Sequence, residues 1–140
     1  MRISAVPYEV IDVVWDDAKK FLEPAVNFAK TRYTIESIRQ FIDGHHVALW
    51  VAMDDQNRMK ATITTRVYDY PEGRSLEMDW IGGEDMEEWL PAFQERLEAY
   101  ARDMGCDFMA GQGRKGWSKP LKKLGWEEEY VSFRKDLKDG

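Results

Sequence analysis

Two periods of apolar residues divide the chain into elements. From Ile11, the positions Val14, Ala18, Phe21, Leu22 and Ala25 recur at helical spacing, and Pro24 predicts that this helix kinks or ends near Glu23. Thr34 to Asp43 predicts a shorter helix, with Thr34 as its cap, Ile35, Ile38 and Ile42 facing inward, and Gly44 closing it. The continuous apolar run Val47 to Met53 has strand length and should be covered on both faces. Met59 to Tyr70 predicts a second strand, with Ala61, Ile63 and Val67 on one side and Thr62, Thr64 and Arg66 on the other. After the turn Pro71 to Arg74, the segment Ser75 to Ile81 completes an antiparallel meander, with Leu76, Met78 and Trp80 on a packed face and Glu77 and Asp79 on the other.

Gly82 and Gly83 then predict a turn, and Asp85 with Glu88 a capping box for a long helix. That helix carries one stripe, Met86, Trp89, Leu90, Phe93, Leu97, Tyr100, Ala101 and Met104, and Gly105 ends it; Pro91 predicts a kink in its first turns. Shorter signals predict strands at residues 2–6, Asp107 to Ala110 and Tyr130 to Leu137, and a helix from Trp117 to Leu124. The order β-α-α-β-β-β-α-β-α-β gives an α/β fold: one domain over residues 1–140, with a mixed sheet between helices.

Composition narrows the function classes. A net charge of −6 argues against whole-surface binding of nucleic acid or anionic membrane. No apolar run approaches the ~18 residues of a membrane span. With no leader-like N-terminal pattern and one cysteine, Cys106, the expected location is cytoplasmic, and a core position beside Phe108 is expected for the thiol. His45 and His46 are adjacent and point to opposite faces of extended chain, so no metal site is expected.

Three constellations carry candidate chemistry. Glu77 and Asp79, two apart on a strand, share a face and suit a general base or an amine-holding pair; a solvent-facing polar sheet edge reads equally well. Gly111 to Gly116 spells G-x-G-x-x-G between a strand and a helix, but a dinucleotide fold needs a further βαβ run that the chain lacks. A phosphate nest using Arg114 and Lys115 and a plain tight turn are the other readings. Arg114, Lys115, Lys119, Lys122 and Lys123, interleaved with Trp117 and Trp126, form the basic cluster, suited to phosphates, an acidic partner or simply solvent. Of six tryptophans most should be core, and exposed ones would mark a protein interface.

The element order, and the run Lys119-Pro120-Leu121-Lys122-Lys123-Leu124-Gly125-Trp126-Glu127, resembles the GNAT superfamily of N-acetyltransferases, whose last helix commonly ends in a Leu-Gly-Phe-Glu-like sequence. Together with Gly113-Arg114-Lys115-Gly116-Trp117, the chain is also similar to short GNAT-like proteins of tailed bacteriophages, which would place it in a host cytoplasm or a virion. The resemblance implies acetyl-CoA held by main-chain groups near Trp80, Ile81, Gly82 and Gly83, with a glycine-rich loop around the pyrophosphate at the long helix's start. Two of that loop's glycines are present, beside Glu84, Asp85, Glu87 and Glu88; the family's usual tyrosine acid falls on Leu121, and its frequent asparagine near Arg114.

Two functions follow. In one, the protein is an acetyl-CoA-dependent N-acetyltransferase with a degenerate pyrophosphate loop, Glu77 or Asp79 as base, an amine as acceptor, and Gly83→Trp as a substitution that blocks CoA while sparing the fold. In the other, it is a catalytically inactive phage structural, assembly or host-interaction protein with a protein partner. Oligomeric state is not readable from the sequence.

Overall fold

The computed structural model describes residues 1–28 and 32–138. Five strands, β1 (Arg2–Ala5), β2 (Ala48–Met53), β3 (Met59–Tyr70), β4 (Gly73–Gly83) and β5 (Phe108–Gly111), form one sheet in the order β1-β2-β3-β4-β5. The first four are antiparallel neighbours, and β5 runs parallel to β4. A parallel pair needs a crossover, and α3 (Met86–Asp103) supplies it.

The helices divide between the two faces because the strands alternate. Leu49 and Val51 of β2 pack with Ile11, Ala18, Leu22 and Val26 of α1 (Ile11–Asn27) and with Ile38 and Ile42 of α2 (Ile35–Asp43). Their neighbours Trp50 and Ala52 pack on the other face with Ala61, Ile63 and Leu76, and with Trp89, Leu90, Phe93, Leu97 and Ala101 of α3. So β2 is covered on both sides, as its unbroken apolar run predicts. The Trp50 indole N–H is satisfied within this core by Thr65 Oγ1 at 2.9 Å. Cys106 is half-buried against the same cluster, and burial pushes its thiol up.

Tertiary packing decides several local expectations. α1 runs on through Pro24 to Asn27 and so does not end near Glu23, and α3 keeps Pro91 within its first turns. An interior proline costs about 3 kcal/mol, whereas burying one Leu or Val side chain returns about 1.5–3 kcal/mol. Leu22 and Val26 are both fully buried around Pro24, and Leu90 and Phe93 lie buried around Pro91. The capping box forms at α2, where the Ser37 N–H donates to Thr34 Oγ1 at 3.2 Å and the Thr34 N–H to Ser37 Oγ at 3.3 Å. It does not form at α3, because Asp85 sits in the left-handed region (φ 55°) with no side-chain cap bond.

After a 3-10 turn at Lys115–Trp117, the last helix α4 spans only Ser118–Lys122. The strand expected at Tyr130 to Leu137 is absent among the described residues, and Tyr130, Val131, Phe133 and Leu137 are exposed. An alternating pattern is only a capacity to pair, and the energy of a strand comes from its neighbour. Here that stretch has no strand beside it.

A paired substitution separates the core from this tail. Leu97→Ala is expected to lower the unfolding free energy by about 2–5 kcal/mol, and Phe133→Ala to change it by less than about 0.5 kcal/mol, as read by urea denaturation. A Phe133→Ala cost matching that of Leu97→Ala would mean that the tail is packed.

Candidate active site

The site begins with a slip in strand register. Thr65 pairs with Met78, but the next residue of β3, Thr64, pairs with Trp80, so Asp79 is the extra residue of a β-bulge. Before it, Leu76 and Met78 pack toward α3. After it, Trp80 faces α1 and α2, stacked 6.4 Å from Phe41 and edge-on to Tyr33 at 5.1 Å, while Ile81 takes the α3 side. The expectation that Leu76, Met78 and Trp80 share one face is therefore corrected, because one added residue reverses an alternation of period two.

The bulge also separates the two candidate carboxylates chemically. Glu77 accepts hydrogen bonds from the Tyr70 hydroxyl at 2.6 Å and from Ser75 Oγ at 2.9 Å. The bond to Glu77 holds the proton on Tyr70, whose pKa is pushed up to about 12. Asp79 is half-buried and accepts from Arg66 Nε at 3.1 Å. Burial raises its carboxyl above the usual range, and the Arg66 charge offsets part of that shift. Asp79 thus accepts one hydrogen bond, from a cation, and Glu77 two, from neutral hydroxyls.

Beyond the bulge, β4 loses a neighbour. The pairing of β4 with β5 ends at Met78 and Gly111, so Asp79 to Gly83 keep β3 on one side and have no strand on the other. An unpaired edge presents alternating N–H and C=O groups. The space beside it is a cleft of about 530 Å³. Its walls are Ile81, Gly82, Gly83, Met86 and Trp89 from β4 and α3; Lys20, Phe21, Pro24 and Ala25 from α1; and Arg114, Gly116 and Trp117 from the segment after β5.

Four sequence-predicted cofactor residues, Ile81, Gly82, Gly83 and Arg114, thus meet in one cleft. Trp80 and Lys115 are not among the residues lining it. Trp80 turns its ring to the opposite cluster, and its N–H is taken by Thr64 Oγ1 at 3.2 Å. The α1 wall, Lys20 and Phe21, carried no signal in the sequence, because only the packing of α1 on β4 brings it there.

The glycines serve close approach and not a turn. Both belong to β4, and a Cβ on Gly82 would lie 1.9 Å from the Phe21 carbonyl oxygen. A Cβ on Gly83 would lie 2.5 Å from Ala61 Cβ and 2.6 Å from the Lys60 carbonyl, so Gly83→Trp would disturb the fold it was expected to spare. No nest forms at Gly111, Gly113 and Gly116 either, since none of them has a positive φ. Among the described residues no strand follows β5, so the G-x-G-x-x-G run has no dinucleotide fold to serve.

Carboxylates crowd the N-terminus of α3, where an anion would ordinarily be received. The Glu84 N–H donates to the Lys60 carbonyl at 2.9 Å. Lys60 Nζ lies 2.8 Å from Asp85 and 4.0 Å from Glu88, and its ammonium is held charged chiefly by the Asp85 bond. Glu84, Asp85, Glu87 and Glu88 lie at this end, and Lys60 pairs with two of them, Asp85 and Glu88. At ~8 Å an uncompensated carboxylate costs a unit negative charge about 0.5–2 kcal/mol, whereas the helix end returns about 0.3–1 kcal/mol. Repulsion wins there.

Elsewhere, His45 stacks on Tyr8 with ring centroids 3.7 Å apart, and His46 meets the edge of Phe41. Of the six tryptophans, Trp50 and Trp89 are buried and Trp15, Trp80, Trp117 and Trp126 are half-buried. Among the described residues, no helix is long and apolar enough to cross a membrane.

No protein-family model matches the sequence, and no curated protein matches it. Similarity to solved structures is extensive in shape and low in sequence. A probable acetyltransferase superimposes with a TM-score of 0.73 and 14% identity over 100% of both chains. An aminoglycoside N-acetyltransferase solved with CoA gives 0.70 and 17%, covering 97% of this chain and 94% of that one. A ribosomal-protein-alanine N-acetyltransferase from Brucella melitensis biovar Abortus 2308 gives 0.69 and 10%, covering 98% and 100%. At these identities the likeness speaks for architecture, and the architecture is the mixed α/β fold of GNAT acetyltransferases.

Proposed function

We propose that the protein is an acetyl-CoA-dependent N-acetyltransferase acting on an amine. The observation that carries this reading is the β4 edge left open beyond Met78, whose residues Ile81 to Gly83 line a cleft of about 530 Å³. A pantetheine arm is a chain of amides, and an unpaired strand edge offers it the alternating partners that a neighbouring strand would offer. The neighbour solved with CoA supports the choice of donor.

Acetyl-CoA, when bound, supplies an acetyl thioester for direct transfer. The chain's own part is to position and to move a proton. Ile81 to Gly83 hold the arm through their main chain, and Met86, Trp89 and Trp117 keep water from the cleft. Asp79, beside this edge, takes the proton that the amine must lose, directly or through water. Orienting the two reactants supplies much of the rate, which is consistent with Leu121 at the position where the resemblance would put a tyrosine acid.

Gly116 gives a block that leaves the fold intact, because it lines the cleft and a Cβ there meets nothing within 4 Å. In isothermal titration, acetyl-CoA is expected to bind the wild-type protein at micromolar concentration and to lose binding to Gly116→Trp at an unchanged melting temperature. Equal affinity for the two proteins would remove the donor from this cleft.

The raised carboxyl of Asp79 gives a pH signature. A base acts only when ionised, so activity is lost as pH falls through its folded-state pKa, which lies above the ordinary carboxylate range. CoA-thiol release from acetyl-CoA with a weakly basic amine that stays unprotonated across this range is expected to show this acid limb, and Asp79→Asn to lower kcat by about 10²–10⁴-fold and abolish the limb. Retention of the limb in Asp79→Asn would assign the base elsewhere.

A further inference from the structure

We propose that the donor's phosphates are gripped by the side chains of Lys20 and Arg114, from two walls of the cleft, instead of by main-chain N–H groups at the start of α3. The proposal rests on the acetyltransferase reading above and adds how this chain binds an anionic donor without a glycine-rich phosphate loop. The starting point is a mismatch. The β4 edge suits the amide portion of CoA, yet the α3 terminus beside it carries four carboxylates, and its one nearby lysine, Lys60, is committed to Asp85 and Glu88.

Two cations do line the same cleft. Arg114 holds its guanidinium 4.2 Å above the Phe28 ring. A cation–π contact orients the group without cancelling its charge, and Arg114 makes no ion pair among the described residues. A planar guanidinium is well matched to phosphate oxygens. Lys20, on α1, pairs only with Asp17 at 3.6 Å, and both side chains are largely exposed. Such a pair is worth little, so the ammonium can turn to a phosphate at small cost. This polarity runs opposite to that of the α3 end, so a diphosphate is steered away from Glu84 and Asp85 and toward the α1 side.

The test uses two probes, CoA and S-acetylpantetheine, which keeps the amide arm and carries no phosphate. Titrations compare the wild type with Lys20→Ala, Arg114→Ala and Asp85→Asn. Each cleft substitution is expected to weaken CoA about tenfold or more and to leave S-acetylpantetheine within about twofold. Asp85→Asn is expected to leave CoA within about twofold. Unchanged CoA affinity in Arg114→Ala, or clearly tighter CoA binding in Asp85→Asn, would overturn the proposal and return the phosphates to α3. Wild-type protein that binds S-acetylpantetheine as tightly as CoA would overturn it too, with the acetyltransferase reading intact. Failure of the wild type to bind either probe would overturn both.

Discussion

The register slip at Asp79 is the constraint from which the rest of the site follows. One extra residue in β4 turns Trp80 toward α1 and α2 and Ile81 toward α3, so the strand's last residues anchor both layers at once. The same stretch stands clear of β5, whose pairing stops at Met78. A bulge that ends pairing and re-aims a side chain is a common device beside active sites. Here it leaves a free backbone edge and a half-buried carboxylate within a few residues of each other.

That edge becomes a cleft only because α1 is laid against it. Gly82 has room for no side chain beneath the Phe21 carbonyl, and this contact fixes where Lys20 and Phe21 stand. The glycine pair is thus a packing requirement between layers. The electrostatics follow from the same arrangement: α1 and the segment after β5 bring cations to the cleft, while the α3 end spends Lys60 on its own acids. The fold in this form leaves a free backbone edge beside the cleft and crowds the start of α3 with carboxylates.

The sequence made the architecture legible wherever one period ran long enough. The apolar run of β2, the two-faced β3 and the stripe of α3 are each redundant signals, and the four consecutive elements from β2 to α3 follow from them. What failed was short or depended on a partner. The alternation at Leu76, Met78 and Trp80 could not reveal a bulge, because a single inserted residue leaves no mark in a seven-residue pattern. Tyr130 to Leu137 reads as a strand and has none beside it. Asp85 and Glu88 spell a capping box, but Asp85 turns its carboxylate to Lys60, 25 residues away in sequence. Of the cleft residues, Ile81, Gly82 and Gly83 were named through the resemblance and Arg114 through the glycine-rich run, whereas Lys20 was not, since only the docking of distant segments brings it there.

The most direct measurement is an amide-resolved NMR titration of the isotope-labelled protein with acetyl-CoA. The account predicts saturable shifts concentrated at Asp79 to Gly83 of the open β4 edge and at Gly116 across the cleft. Shifts absent at millimolar acetyl-CoA, or confined to residues remote from that edge, would contradict it.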